Sequence, residues 1–203
     1  MKFLLQLSRA IDGLNERVGR ITIWLILAST AISGLNAIVR KAFNYSSNAY
    51  LEVQWYLYAW AFLLAAGYTL LHQEHVKIDV LYSRLSTRKQ VWVDILGYAV
   101  FLTSFCVVVL YFTWPMVVQK FESGEMSSNA GGLIRWPVWL AIPLGFVLLL
   151  LQGWSELIKR IAFLKGLIPD PRNKHGEKSA EEALAEAIVL RADTDEPING
   201  TSR

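Results

Sequence analysis

His72, His75 and Asp79 recur at helical spacing, with Glu74 beside them, and that pattern offers three ligands to a metal ion. The plainer reading is a polar helix end, where histidines cap carbonyls or pair with carboxylates. The second reading is favoured, and no metal site is assigned. Glu52 stands at the mouth of the apolar run that these histidines close. A carboxylate there suits the positive end of a helix dipole, or an ion pair to a partner chain. Both readings stay open. Cys106, the lone cysteine, sits inside an apolar run and forms no CxxC pair, so it reads as a small packing residue.

Other membrane chemistries lack their residues. A haem-carrying cytochrome needs histidines within its helices, but His72, His75 and His175 all lie at or beyond apolar boundaries. A thiol oxidoreductase needs a cysteine pair. A proton-coupled exporter needs an ionisable group at mid-depth, and no apolar run contains one. The reading is therefore a non-enzyme without a cofactor. The mild basicity, a net charge of +3, lies beside apolar runs rather than along a nucleic-acid stripe.

The elements that position these residues follow from the apolar runs. Of the residues, 54% are hydrophobic and only 18% charged, which is low in charge for a soluble domain. Four uncharged runs approach the roughly 20 residues that cross a bilayer. They give spans at about 21–39, 53–71, 95–118 and 136–155. Tyr50, Trp55, Tyr56, Tyr111, Trp114, Trp136, Trp139 and Trp154 mark interfaces near their ends. Pro115 and Pro143 fall inside their runs, where a kink is expected.

Residues Phe3, Leu7, Ile11, Leu14 and Val18 form one apolar helical face. Residues 1–20 are thus expected to lie in the interface plane as an amphipathic helix. The fold expected is an all-α membrane protein with four transmembrane helices over 21–158, that lead-in helix, and a charged tail over 159–203. Small-xxx-small pairs, Ser29/Ser33, Ser33/Ala37 and Ala61/Ala65, suit close helix packing. Lys and Arg crowd the N-terminal segment, the second loop and the C-terminal flank, which puts both termini in the cytoplasm. The first and third loops then face outward with Arg40, Lys41, Lys120, Glu122, Glu125 and Arg135 as their charges.

With helix two opening on Glu52 and closing into His75-Val76-Lys77-Ile78-Asp79, the chain resembles the small membrane subunit, DctQ-type, of tripartite ATP-independent periplasmic transporters. The segments Ser128-Asn129-Ala130-Gly131-Gly132-Leu133, Arg135-Trp136-Pro137 and Pro143-Leu144-Gly145-Phe146 carry the same resemblance, over roughly residues 10–165. It implies a bacterial inner-membrane scaffold subunit beside a large polytopic partner. That partner moves an organic acid, driven by sodium and delivered by a periplasmic binding protein. Glu52, His75, Asp79 and the six outward charges are then candidate contacts to partners or lipid headgroups. A free-standing four-span adaptor or assembly factor is the alternative.

Overall fold

The computed structural model describes residues 1–44, 47–72 and 85–169. These residues are helical, apart from short connections and one isolated bridge between Met126 and Ile134. Helix α1 is Lys2–Phe43 and α2 is Asn48–His72. Helix α3 covers Thr87–Ser123, with a π-helical stretch, Gly97–Leu102, between its two α-helical parts. Helix α4 is Trp136–Leu164. In hydrocarbon each backbone N–H and C=O must be paired within its own segment, so uncharged runs of this length fold as helices.

The helix ends have local causes. Asn44, at φ 51°, turns the chain out of α1. Gly124, at φ 59°, ends α3. At the end of α4, Gly166 donates to Phe163 O and Leu167 donates to Ala162 O, which satisfies two orphan carbonyls as in a Schellman motif. Pro137 opens α4, where its missing N–H costs little. Helices α3 and α4 continue through Pro115 and Pro143, and α3 also carries a π-helical stretch over Gly97–Leu102.

Contacts set the directions. Ser29 bonds the Gln54 carbonyl and Gly19 abuts Tyr68, so α1 and α2 run antiparallel. Leu63 meets Gly145 and Gly67 meets Leu148, so α2 and α4 run parallel. Leu102 meets Gly153 and Phe121 meets Trp136, so α3 opposes α4. The connections after α1 and after α3 therefore share one end of the bundle. The start of α1 and the end of α4 share the other.

The interior is small and polar while the outside is large and apolar. Ala61, Ala141, Ala162 and Cys106 are buried, whereas Phe62 and Phe101 are 72% and 71% exposed. This arrangement suits lipid, where burying apolar surface brings no gain and close backbone packing drives association. Among the described residues three helices are both long and apolar enough to cross a membrane: α1, α3 and α4. Helix α2 has 25 residues, about 37 Å at 1.5 Å each, but Glu52, Gln54 and its Trp and Tyr residues dilute its apolarity.

Several expectations change here. Residues 1–20 are not a separate element but the first turns of the 42-residue α1. Their exposed face carries Phe3, Leu7 and Leu14, while Ser8, Ile11, Asn15 and Gly19 pack inward. The helical segment expected to stop before the tail at 159 continues to Leu164, with Lys159 and Arg160 buried in it. Ala61 is buried as a packing residue, but Ser33 and Ala37 lie exposed on α1. His75, Asp79 and the tail from 170 onward lie outside the described residues.

Candidate functional site

Two polar seams hold the ends of the bundle. The first joins α1, α3 and α4. Glu156, Lys159 and Arg160 sit on one face of α4 because they are three and four residues apart. Asp12 accepts from Ser155 Oγ at 2.7 Å, from Gln152 Nε2 at 2.9 Å and from Lys159 Nζ at 3.1 Å. Ser8 and Ser155 pair through their hydroxyls at 2.7 Å, and Asn15 donates to Gln152 Oε1 at 2.9 Å. Lys159 also binds Glu156, and Arg160 Nη1 binds the other oxygen of the same carboxylate. Arg160 Nε then reaches Asp94 Oδ2 at 2.9 Å, and its guanidinium lies 4.8 Å from the centre of the Tyr98 ring.

Three carboxylates thus alternate with two cations, and Gln152, Glu156 and Arg160 have no exposed surface. An extra residue per turn distinguishes the π stretch, which starts just past Asp94 and contains Tyr98. Its last turn is closed by Thr103 Oγ1 donating to Tyr98 O at 2.8 Å, and Trp154 Nε1 donates to that same Oγ1 at 3.3 Å. From Arg135 to Glu156 is 21 residues, about 31 Å along α4, so the seam lies one membrane thickness from the α3–α4 loop. It presents no activated nucleophile, and its chemistry is cross-linking of helices.

Beside this seam, His72 Nε2 meets Glu16 Oε2 at 2.9 Å, and its ring packs 4.3 Å from that of Tyr68. The histidine at this helix end therefore pairs with a carboxylate. Among the described residues no group of three His, Cys, Asp or Glu side chains is placed to hold a metal.

The second seam lies at the other end. Glu52 is buried, one turn into α2 rather than in its first turn. Its carboxylate accepts from Asn129 Nδ2 at 2.8 Å, from Leu133 N at 2.6 Å and from Ser127 Oγ. Asn48 donates to Ala130 O at 3.1 Å and Tyr56 to Ile134 O at 3.0 Å. The loop is also closed on itself, with Ser127 N donating to Leu133 O and Arg135 N to Glu125 O, both at 2.9 Å. Gly132 fits under the Glu52 carboxylate, where a Cβ would meet Ser127 Cβ at 2.5 Å. At the loop's stem Glu125 binds Lys120 and, at 3.0 Å, Arg135. Those two cations, Lys120 foremost, hold its carboxyl below the usual glutamate value of 4.5.

Of the sequence candidates, Glu52 from α2, Lys120 from α3, Glu125 and Arg135 thus gather around one loop. Glu122 is exposed on the last turn of α3, and Arg40 and Lys41 are exposed on the last turn of α1. Asp12, Gln152, Glu156 and Asp94 were not singled out by sequence reasoning. For Gln152 and Glu156 the signal was the run of polar residues at 152, 155, 156, 159 and 160 on one face of α4, whereas Asp12 and Asp94 lie on other helices.

Replacing Glu52 by Ala removes the acceptor for all three loop donors. Hydrogen exchange at the Leu133 amide is expected to rise roughly tenfold or more, because these are hydrogen bonds to a charged group. Exchange mass spectrometry in detergent reads this, and unchanged protection over 127–133 would show that the loop closes without Glu52.

The family comparison bears on both seams. Residues 29–163 match the model for the DctQ component of tripartite ATP-independent periplasmic transporters. The chain belongs to this family. The matched segment contains the Glu52 loop and the α4 side of the charged seam, while Ser8, Asp12 and Asn15 precede it. Neither the curated proteins nor the solved structures give a match. Membership makes the chain a membrane component of a transporter whose other subunits are separate components. The two seams are what hold this DctQ component's helices and its α3–α4 loop in place.

Proposed function

We propose that this DctQ component is the fixed scaffold subunit of a sodium-coupled importer in the bacterial inner membrane. A large polytopic subunit carries an organic acid, and a periplasmic binding protein delivers it. Helices α1 to α4 each cross the membrane, with both termini in the cytoplasm. Helix α2 is taken as the fourth span because it runs parallel to α4 within the same bundle and is long enough to cross. The loop over 124–135 then faces the periplasm.

One observation carries the scaffold role: both ends of the bundle are cross-linked by polar seams within the chain. Residues far apart in sequence, such as Asp12 with Lys159 and Glu52 with Leu133, tie the helices into a single body. A mobile element would need bonds that break and reform as it moves, whereas this bundle's charges are committed inward. The exposed charges Arg40, Lys41, Glu122 and Arg135 are the ones that face partners or lipid headgroups. Rim charges of this kind act on encounter rate and salt dependence. His75 and Asp79 are assigned to the opposite membrane interface, as anchors to headgroups or to the large subunit. Sodium-driven uptake into liposomes, with and without this chain, tests the proposal. Uptake should require the chain.

A further inference from the structure

Between Lys2 and Arg20, α1 carries three different faces. Ser8, Ile11, Asn15 and Gly19 are buried against the bundle. Phe3, Leu7 and Leu14 form an apolar row on the open side, where Phe3 is 73% exposed. Beside it Lys2, Arg9, Arg17 and Arg20 form a cationic row, linked through Gln6 and Gly13 at steps of three and four, and all four are exposed. The two carboxylates of α1 are engaged elsewhere or shared. Asp12 is committed to Lys159, and Glu16 to His72 and Arg20. Among the described residues Lys2, Arg9 and Arg17 therefore have no acidic partner. A bilayer does not reach far enough to cover both rows. Phe3 lies 17 residues before Arg20, about 25 Å along an unbroken helix. The headgroup zone adds only about 5–8 Å beyond the hydrocarbon on each side. Even at a tilt of about 40° the helix rises about 20 Å over that stretch. The start of α1 thus stands clear of the headgroups, with Phe3 and Leu7 facing water.

Such a surface is complementary to a segment that is apolar on one side and acidic on the other. The chain's own tail has that composition. Leu184 and Ile188 are one helical turn apart, as are Glu182 and Glu186, and residues 181–196 hold six acidic residues against one arginine. They lie outside the described residues, but they follow directly from the end of α4. The hydroxyls of Ser8 and Ser155 pair, and α4 ends nine residues beyond Ser155, at Leu164. It therefore stops about level with the start of α1. From there residues 170–180 can reach about 36 Å when extended. That exceeds the length from Lys2 to Arg20, about 27 Å. We propose that residues 181–196 of this chain lie along the open side of α1. Leu184 and Ile188 cover Phe3 and Leu7, and the neighbouring carboxylates meet Lys2, Arg9 and Arg17. The inference needs α1 to cross the bilayer and is independent of the role in transport.

The test uses the full chain in nanodiscs of phosphatidylcholine and phosphatidylglycerol, in a Cys106→Ala background. Leu7→Cys and Ile188→Cys are combined and treated with a short bifunctional thiol reagent. A cross-link within one chain is expected. Glu181→Lys, Glu182→Lys and Glu186→Lys together should cut its yield roughly tenfold, because several exposed ion pairs are lost at once. Adding Arg9→Glu and Arg17→Glu to that variant should restore the yield. Phe62→Cys, on an exposed face of α2, replaces Leu7→Cys as the control and should not react with Ile188→Cys. Equal yields from positions 7 and 62 would overturn the inference, as would a yield that ignores charge reversal or a product that joins two chains. The lipid alternative is read from Leu7→Cys alone, by its rate of labelling with a water-soluble maleimide. The reversed tail should speed labelling. A thiol that stays equally shielded with the reversed tail would show that lipid covers this face, and the inference would fall.

Discussion

Arg160→Ala is expected to lower the stability of the bundle in detergent by about 3–5 kcal/mol, the cost typical of breaking a buried ion pair from one side. The guanidinium has no exposed surface and binds both Glu156 and Asp94. Its loss leaves Glu156 with Lys159 as a cationic partner and takes the guanidinium away from Asp94. It also unties α3 from α4 just below the π turn. The shortfall comes from stranded charge rather than from a lost attraction. A variant that also replaces Glu156 and Asp94 by apolar residues of similar volume should therefore recover much of the loss. Thermal unfolding followed by circular dichroism compares the single and triple variants. A single variant that melts with the wild type would show that water reaches the seam and screens it.

Gly145→Val should do comparable damage by a different route. A Cβ at position 145 would lie 2.6 Å from Leu63 O and 2.9 Å from Leu63 C. Both atoms are backbone, so no side chain can swing aside and α2 must separate from α4. Overpacking by even one methyl typically costs about 1–3 kcal/mol, and the branched side chain adds to that. Gly145→Ala should fall between valine and the parent. Gly13 is the control, because nothing lies within 4 Å of its would-be Cβ. Gly13→Ala should leave stability unchanged or raise it slightly, since alanine favours a helix by about 1 kcal/mol over glycine. A Gly145→Val variant as stable as the parent would mean that contact with Leu63 does not set the spacing of α2 and α4.

The helices were legible because apolar runs bounded by charge leave the backbone one way to pair. The helicity of the lead-in was legible, and its continuity with the rest of α1 was not. Phe3, Leu7 and Leu14 form the stripe that a soluble helix would bury, yet α1 turns them outward and buries Ser8 and Asn15. Lys159 and Arg160 counted correctly as positive charge near one end of the bundle, but their partners could not be read. Asp12 lies 147 residues from Lys159, and no local spacing connects them. Glu52 stood out by its place at a helix mouth. Its role in fastening residues 127–133 depends on a loop that begins 75 residues later.

Uptake is the most direct measure of whether this DctQ component is a required scaffold. The large membrane subunit is reconstituted in liposomes with or without the chain, and a sodium gradient, the binding protein and a labelled substrate of that binding protein are supplied. Transport is expected only when the chain is present, with Arg160→Ala reducing it in proportion to the unfolded fraction. Full sodium-driven uptake by the large subunit and binding protein alone would contradict the account.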